Sequence, residues 1–176
     1  GSEMCIRDRA RRGAADYMAM EGEFRRYLAD VYSTAPVTRE ALTDECEVLV
    51  VGAGFAGLVL WHKLQAAGFS DVRFCEKAGD VGGTWYWNRY PGIACDVEAY
   101  SYLPLLEEMG YFPTMKFASG FEIFEYCQKV ASRYGFYDRC LFHTTVEETI
   151  WDEESGRWTV VTDCLLYTSP SPRDLY

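Results

Sequence analysis

A short apolar strand that runs directly into a glycine-rich turn is the feature that most constrains the fold of this chain. Glu47–Val51 is rich in β-branched residues, as a strand buried on both faces would be. Gly52–Gly57 follows at once with the spacing GxGxxG, and Phe55–Ala67 predicts a helix that ends at Gly68. Val72–Glu76 reads as a second strand. The pattern therefore predicts a βαβ unit of about 30 residues.

The glycines of this turn have the spacing that a dinucleotide site requires. Gly52 permits a tight turn, Gly54 lets backbone N–H groups approach a pyrophosphate, and Gly57 allows the helix to pack closely on the strand. The helix N-terminus offers N–H groups and the positive end of its dipole to the phosphates. Glu76, 24 residues after Gly52, can accept hydrogen bonds from a ribose hydroxyl and would repel the 2′-phosphate of NADP. A glycine-rich turn in an unrelated α/β domain is the alternative interpretation.

FAD-binding and NAD-binding domains share this glycine fingerprint, and the loop after the second strand distinguishes between them. Gly82 and Gly83 would let the backbone come near a large planar cofactor, and Trp85 could form a wall beside it. Taken singly, Trp85 and the two aromatic residues after it could equally be ordinary core. Residues 79–92 look too irregular for a helix or a strand, and we expect a loop there.

A capping box and a hairpin organise the second half of the domain. Ser119–Glu122 has the capping-box pattern, and the helix that it opens would end at Gly135. Arg157–Thr162 reads as a strand, and Asp152–Gly156 as the turn that pairs it with the partly alternating residues 141–151.

An amphipathic helix is predicted ahead of the main domain. Asp16–Tyr32 carries apolar residues at helical spacings of three and four, and Ser33–Asp44 reads as a linker. We therefore expect an N-terminal helix and linker over residues 10–45 and one domain over residues 46–162.

Both ends of the chain look foreign to the rest. Met4–Asp8 and Cys164–Thr168 can be translated from one DNA element read in opposite orientations, which resembles a transposon adapter used in library preparation. We expect residues 1–9 and 163–176 to derive from such an adapter and leave them out of the fold prediction. A natural polar tail is the alternative. The natural part, about residues 10–162, then need not be a whole protein.

Composition disfavours several classes of partner and site. The formal net charge of −10 disfavours nucleic acid and anionic membranes as partners. No run of 18 apolar residues could cross a bilayer. The cysteines form no CxxC pair and only two histidines accompany them, so no metal site is expected. The cysteines outside the two tails are expected to be reduced, mostly buried thiols of a cytoplasmic protein: Cys46, Cys75, Cys95, Cys127 and Cys140.

The most specific stretch of the chain is Gly82–Tyr102, which reads GGTWYWNRYPGIACDVEAYSY. Together with Ala118–Ile123 and Phe142–Val146, it resembles the N-terminal FAD-binding part of the Baeyer–Villiger monooxygenases, within the class B flavoprotein monooxygenases. The resemblance extends over Val48–Thr162, about two thirds of the chain. It implies an α/β, Rossmann-like FAD-binding domain with a βαβ unit and a β-hairpin, truncated, and preceded here by the N-terminal helix.

The resemblance implies a parent enzyme that binds FAD tightly and uses NADPH and O2. Through a C4a-peroxyflavin, such an enzyme converts a small-molecule ketone to an ester or a lactone. The three glycines of GxGxxG would hold the pyrophosphate, Glu76 the adenosine ribose, and the backbone of Val146 would lie near the adenine. The positions that the resemblance assigns to the cofactor are Gly52, Gly54, Phe55, Ala56, Gly57, Glu76, Lys77, Gly83, Thr84, Trp85, Asp96, Tyr102 and Val146.

Asp96 corresponds to the family's active-site aspartate near the flavin, and it is the residue to which the resemblance assigns a catalytic role. In the family, this aspartate positions an arginine that stabilises developing charge, and that arginine lies later than residue 162. From the sequence alone, Asp96 could instead be the N-cap of the next helix. Arg89 is expected to anchor its loop or to meet cofactor phosphates. His62, in a helix, and His143, in a strand, are interpreted as structural.

Two further functions stay open at this point. A fragment of an N- or S-oxidising flavin monooxygenase would share GxGxxG and GGxW, although the stretch YWNRYPG followed by Cys95 and Asp96 favours the Baeyer–Villiger family. A stand-alone FAD-binding module without turnover is a third possibility of a different class, which a natural stop codon after Thr162 would support.

The 176-residue chain alone is predicted to be inactive as an oxygenase. The family's second GxGxxG, which binds NADPH, and its fingerprint FxGxxxHxxxW are both missing from the chain. Incubation of the purified chain with FAD, NADPH and a ketone under air should consume NADPH no faster than a protein-free control. Chain-dependent oxidation of NADPH would contradict the prediction.

Overall fold

A computed structural model describes residues 21–23, 25, 30–33 and 43–163, and the backbone of residues 166–170. The chain divides into two units, which are considered separately: residues 1–34 and residues 35–176.

In the first unit, residues 1–9 and most of the predicted helix Asp16–Tyr32 lie outside the described residues. At residues 30–32 the structure has a turn, in which the N–H of Tyr32 donates to the carboxylate of Asp30 at 3.0 Å. The prediction that the helix continues to Tyr32 is therefore wrong at its end, because the Asp30 side chain gives the backbone a local acceptor that competes with the helical bond.

The second unit contains short strands and helices in alternation. No helix of the described part of the chain is long and apolar enough to cross a membrane. The strands in chain order are β1 (Thr43–Glu45), β2 (Val48–Val51), β3 (Val72–Cys75), β4 (Cys140–Leu141), β5 (Val146–Asp152), β6 (Arg157–Thr162) and β7 (Leu166–Pro170). The helices are α1 (Phe55–Ala66), α2 (Thr84–Trp87), α3 (Ala99–Tyr102), α4 (Leu106–Met109) and α5 (Gly120–Arg133), and a 3-10 helix spans Phe136–Arg139.

The predicted βαβ unit is confirmed. β2, β3 and β4 form a parallel sheet in that order, and α1 connects β2 to β3. Helix α1 stops at Gly68, which adopts a φ of +90° that other residues reach only with strain. The N–H of Gly68 donates to the carbonyl of Gln65, and the N–H of Phe69 donates to that of Leu64. These two bonds form a Schellman motif, which explains why the helix ends where the sequence indicated.

The predicted hairpin is confirmed as well, within a larger sheet than the sequence indicated. β5 and β6 pair antiparallel, and the rings of Trp151 and Trp158 face each other across the pair at 5.3 Å. β7 pairs with β6 and with β1, which gives the order β1-β7-β6-β5. β1 includes the last two residues of the predicted linker, and β7 lies within residues 163–176, the C-terminal tail.

The core lies where α1 and α5 pack around the parallel sheet. Phe74 of β3 is fully buried against the ring of Trp61 of α1, with ring centroids 6.2 Å apart. The indole N–H of Trp61 donates to the carbonyl of Tyr134, which follows α5. Tyr126 of α5 is also fully buried, and its hydroxyl donates to the carbonyl of Pro104 at 2.6 Å. Trp61 and Tyr126 therefore bury their rings while their polar ends keep a hydrogen-bond partner.

One turn of helix, α2, interrupts residues 79–92, so the prediction of a wholly irregular loop is wrong. Gly82 and Gly83 adopt φ values of +116° and +53°, and their carbonyls accept N–H groups of the aromatic residues that follow at 3.0 Å. Asn88 ends the turn, since its side-chain amide donates to the carbonyl of Thr84 at 2.9 Å. Periodicity does not detect an element of four residues, because it offers no repeat to recognise.

The predicted capping box at the start of α5 is half formed. Ser119 accepts the N–H of Glu122 through its hydroxyl at 3.2 Å, as expected. The Glu122 carboxylate does not return to Ser119; it is buried and accepts the Tyr111 hydroxyl at 2.9 Å and the Thr114 N–H and hydroxyl at 2.7 Å each. Burial by itself would raise the pKa of Glu122, but these hydrogen bonds hold that pKa below its ordinary value.

Replacement of Glu122 by glutamine is expected to lower the free energy of unfolding at neutral pH. The free energy of unfolding should also fall less steeply on acidification in the variant than in the wild type. The folded carboxyl has a lowered pKa, so its stabilisation is present above the unfolded pKa, about 4.3, and is lost as pH falls through the folded pKa. In urea unfolding, Glu122→Gln should cost about 1–3 kcal/mol at pH 7 and less at pH 3. The exposed Glu147→Gln serves as the control and should parallel the wild type. A cost that stays constant with pH would contradict the assignment.

Candidate functional site

The glycine-rich turn lies at the carboxyl end of β2, beside the carboxyl end of β3. Gly52 has a φ of +103°, and its N–H donates to the carbonyl of Cys75 at 2.8 Å. Gly57 packs so closely on the turn that a Cβ there would lie 2.3 Å from the carbonyl oxygen of Gly52. These two glycines thus allow the tight turn and the close helix–strand packing that their spacing predicts.

Helix α1 begins without any side-chain cap. Its N-cap is Gly54, and its first turn holds no acidic residue. The first helical bond runs from the N–H of Leu58 to the carbonyl of Gly54, and the N–H groups of Phe55, Ala56 and Gly57 have no acceptor among the described residues. Backbone donors at the positive end of a helix dipole, with no side-chain cap and no acidic residue in the first helical turn, are suited to an anion such as a phosphate.

Glu76 lies directly after β3 and is 6% exposed. One carboxylate oxygen accepts the N–H of Ala53 at 2.7 Å, and the other accepts the N–H of Ala78 at 2.8 Å. The side chain therefore connects the glycine-rich turn to the start of the following loop. Each oxygen of an ionised carboxylate can accept a second hydrogen bond, so the predicted contact with a ribose is compatible with these bonds.

A second glycine loop meets the first, backbone against backbone. The N–H of Gly82 donates to the carbonyl of Ala53 at 3.0 Å. A Cβ on Gly54 would lie 3.6 Å from the Cα of Gly83, and a Cβ on Gly83 would lie 3.0 Å from the Cα of Gly54. The 3.0 Å distance and the positive φ of Gly83 allow a side chain at that position only with strain, and backbone groups of both loops line one narrow crevice.

A chain of aromatic rings continues from this crevice. Phe55, the first residue of α1, packs edge to face on Tyr102 at 5.4 Å between ring centroids. Tyr102 packs in the same way on Trp85 at 5.8 Å, and its hydroxyl accepts the indole N–H of Trp85 at 3.0 Å. The structure thus brings these three predicted cofactor positions together, although they come from three separate helices.

The other predicted cofactor positions are less closely linked to the crevice. Lys77 is exposed, and its ammonium lies 5.3 Å from the centroid of the Trp87 ring. Thr84 is the exposed first residue of α2. Val146 begins β5 and packs against a small cluster that includes Cys75, the residue before Glu76.

Asp96 is exposed and makes no hydrogen bond or ion pair with any described residue. The helix that follows it begins at Ala99 with Glu98 as its N-cap, so the alternative interpretation of Asp96 as an N-cap is wrong. The backbone around Asp96 is held by its neighbours: the N–H of Cys95 donates to the carbonyl of Ala118, and that of Ala99 donates to the carbonyl of Lys116. A fixed backbone thus presents an unpaired carboxylate.

Arg89 anchors its loop, which is one of the two roles expected of it. Its guanidinium lies 4.4 Å from the ring centroids of both Tyr86 and Phe124, and its Nε donates to the carbonyl of Tyr86. A cavity of about 280 Å³ opens beside Arg89 and Phe121, and no residue of the GxGxxG turn lines it.

His143 was expected in a strand, and that prediction is wrong. It lies between β4 and β5 with a φ of +53°, where the chain leaves the parallel sheet, and its N–H donates to the carbonyl of Ala78. A positive φ is incompatible with a strand. His62 lies within α1, as expected.

The five cysteines outside the tails are all buried, as predicted, and none of them forms a disulfide. Burial raises the pKa of the Cys46 thiol to about 11 and that of Cys127 to about 12, so both are un-ionised at neutral pH. Within the described residues, no group of three or more His, Cys, Asp or Glu side chains could hold a metal ion.

Comparisons with known proteins agree with this architecture. The model of the NAD(P)-binding Rossmann-like domain matches residues 50–112. Neopentalenolactone D synthase of Streptomyces avermitilis is 50% identical over 152 residues, which are 86% of this chain and 25% of that protein. Baeyer-Villiger monooxygenase 4 of Dietzia sp. is 50% identical over 128 residues, 73% of this chain and 21% of that protein.

Solved structures point the same way. The polycyclic ketone monooxygenase of Thermothelomyces thermophila superposes with a TM-score of 0.75 at 33% identity, over 86% of this chain and 27% of that one. The chain belongs to the Baeyer–Villiger monooxygenase family. The FAD-bound form of OTEMO has a TM-score of 0.66 at 32% identity, over 70% of this chain and 24% of that one. The chain spans about a quarter of the length of the curated relatives it matches.

The functional groups that the sequence motifs did not indicate are backbone groups rather than side chains. Ala53 contributes both an N–H to Glu76 and a carbonyl to Gly82, and Ala78 contributes an N–H to Glu76. Both alanines are fully buried. Their small size next to Gly52 and Gly79 was the available signal, because close approach of backbones excludes larger side chains.

Alanine at Gly57 is expected to disrupt the turn, whereas alanine at Gly54 should be tolerated by the fold. The Cβ of Gly57→Ala would lie 2.3 Å from a backbone oxygen that cannot rotate away, so we expect a loss of about 1–3 kcal/mol or more. The Cβ of Gly54→Ala would make ordinary contacts at 3.6 Å, and the change at an N-cap should cost about 1 kcal/mol at most. Urea unfolding of the two variants measures the difference, and equal losses would contradict this account of the turn.

Proposed function

We propose that this chain is the FAD-binding part of a flavin monooxygenase that depends on NADPH and O2 and oxidises a ketone to an ester or a lactone. The observation that carries the proposal is the uncapped, acid-free N-terminus of α1 facing a second glycine loop. Membership of the Baeyer–Villiger family and the FAD bound in the related OTEMO structure support it. The buried, unlinked thiols favour a cytoplasmic protein.

The residues present fit FAD, because the crevice supplies N–H donors for the pyrophosphate and hydrogen-bond acceptors for the adenosine ribose. The N–H groups of Phe55, Ala56 and Gly57 would donate to the pyrophosphate, and the glycine loops leave room for it because no Cβ projects between them. Glu76 keeps acceptor capacity for ribose hydroxyls. The backbone of Val146 would lie near the adenine.

The aromatic chain of Phe55, Tyr102 and Trp85 would form the wall beside the flavin. The hydrogen bond from the Trp85 indole to the Tyr102 hydroxyl fixes both rings relative to α1 and so to the pyrophosphate site. Gly83 and Thr84 would line the same side, with Lys77 at the rim. FAD supplies the redox chemistry when it is bound, and the contribution of these residues is to bind and orient it.

Asp96 is the candidate catalytic residue of the chain. Its carboxylate is exposed and has no partner among the described residues, while its backbone is fixed on both sides. Such a carboxylate can hold and orient a cationic side chain near the reacting atoms, as the family resemblance implies for an arginine. Oxidation of a ketone is proposed for the whole protein and not for this chain alone. The matched region makes up only 25% of the related neopentalenolactone D synthase.

The 176-residue chain is expected to bind FAD in a one-to-one complex, and Gly54→Ala is expected to weaken that binding by about tenfold or more. The added Cβ would project between the two glycine loops at the uncapped end of α1, while leaving the fold intact. Titration followed by flavin fluorescence measures both dissociation constants, and unfolding of the FAD-free proteins is the control for stability.

Ala66→Gly is the matched control for this titration, since it changes one methyl group at the exposed, opposite end of the same helix, far along the chain from the glycine-rich turn. It should bind FAD with nearly wild-type affinity. Failure of the wild-type chain to bind FAD, or equal affinity of wild type and Gly54→Ala, would contradict the proposed site.

A further inference from the structure

Asp80 has the most connected side chain of the segment between β3 and α2. One carboxylate oxygen accepts the N–H of Val81 at 2.7 Å and the hydroxyl of Tyr137 at 2.9 Å. The other oxygen accepts the side-chain amide of Gln128 at 2.7 Å. Gln128 belongs to α5 and Tyr137 to the 3-10 helix, so a single carboxylate joins the start of the second glycine loop to two elements more than 40 residues away.

The residues that follow Asp80 are those that meet the first glycine turn. Val81 is fully buried, and Gly82 donates its N–H to the carbonyl of Ala53. On its other side, Gly82 lies so close to α5 that a Cβ would be 2.9 Å from the ring of Phe124. The loop is therefore held between the turn and the helix, and its position depends on where its first residue is held.

Two consecutive glycines give this loop little stiffness of its own. Gly82 and Gly83 both adopt positive φ values, and glycine loses more conformational freedom on ordering than any other residue. A loop that had to become ordered when a ligand binds would lower the affinity for that ligand, whereas a loop that is already ordered would not.

We propose that Asp80 is a positioning residue for the cofactor site: it holds the second glycine loop against the GxGxxG turn, so that FAD meets a crevice that is already formed. Asp80 reaches the cofactor site only through this loop. The inference rests on the proposed function and adds to it a residue that neither the GxGxxG motif nor the family resemblance assigned.

Two substitutions separate the hydrogen-bonding role of Asp80 from its charge. Asp80→Ala removes all three bonds. Asp80→Asn keeps an oxygen for Val81 and Tyr137, and its amide N–H can donate to Gln128 once that side-chain amide turns over. Asp138→Ala, an exposed acid on the neighbouring 3-10 helix, is the control for loss of a nearby charge.

The first measurement is hydrogen exchange in the FAD-free chain. In Asp80→Ala, the Gly82 amide should exchange about tenfold faster or more, while amides in the middle of α1 keep their wild-type protection. Asp80→Asn and Asp138→Ala should both resemble the wild type. Uniformly faster exchange across α1 and the loop would show a general loss of stability and would overturn the inference.

The second measurement is the affinity for FAD, with the fluorescence of the bound flavin as its signature. Asp80→Ala should raise the dissociation constant about tenfold and give a less quenched flavin, and Asp80→Asn should restore both. Wild-type affinity in Asp80→Ala, or equal impairment in Asp80→Asn, would overturn the inference. If the wild-type chain does not bind FAD, the proposed function fails, while hydrogen exchange still decides whether Asp80 holds the loop.

A double variant provides the test if Asp80→Ala does not fold. Gln128→Leu with Tyr137→Phe leaves Asp80 and its bond to Val81 in place but removes both bonds that connect Asp80 to the rest of the fold. It should show the same selective loss of protection at Gly82 and the same weaker binding of FAD. Wild-type protection at Gly82 in this variant would overturn the inference.

Discussion

The two hydrogen bonds that the buried Glu76 carboxylate accepts are the interaction on which the rest of the site depends. Burial of a carboxylate is costly unless its oxygens receive hydrogen bonds, and here the N–H groups of Ala53 and Ala78 supply them. These donors belong to the two backbone segments that form the crevice. Glycine has no side chain and alanine only a methyl group, so these residues cannot hold the two segments together by side-chain packing. Groups outside the segments must do so, and the Glu76 carboxylate is one of them.

The need for groups outside the two backbone segments to hold them also explains the position of α5. Gln128 of this helix donates to Asp80 at the start of the second glycine loop, and Gly82 of that loop leaves no room for a Cβ beside Phe124. The first residue of α5, Gly120, likewise meets the ring of Trp85, since a Cβ on Gly120 would lie 3.2 Å from it. The crevice at the end of the βαβ unit is therefore completed by a helix that lies well outside the unit in sequence.

The sequence predicted those parts of the fold whose causes are local. The strand–turn–helix order, the end of α1 at Gly68 and the hairpin all depend on neighbouring residues, and all are confirmed. Two of the predictions that failed, those for Glu122 and His143, depended on partners outside the short segment that each prediction considered. Glu122 had a suitable backbone N–H three residues before it, yet its carboxylate binds the segment around Thr114, and His143 leaves the sheet because its N–H bonds to Ala78. The periodic pattern of apolar residues in a sequence carries no information about these hydrogen-bond partners.

The partners of a carboxylate also distinguish structural from chemical roles at this site. Both oxygens of Glu76 and of Asp80 accept hydrogen bonds from the protein, so both side chains are fixed and hold backbone in place. Asp96 is exposed, and the described residues offer it neither a donor nor a cation. Asp96 therefore has all of its acceptor capacity available for a cation or a ligand group, whereas Glu76 keeps only part of its own. Within the candidate cofactor site, the lack of a partner among the described residues, added to the family resemblance, distinguishes Asp96 from Glu76 and Asp80 as the candidate catalytic residue.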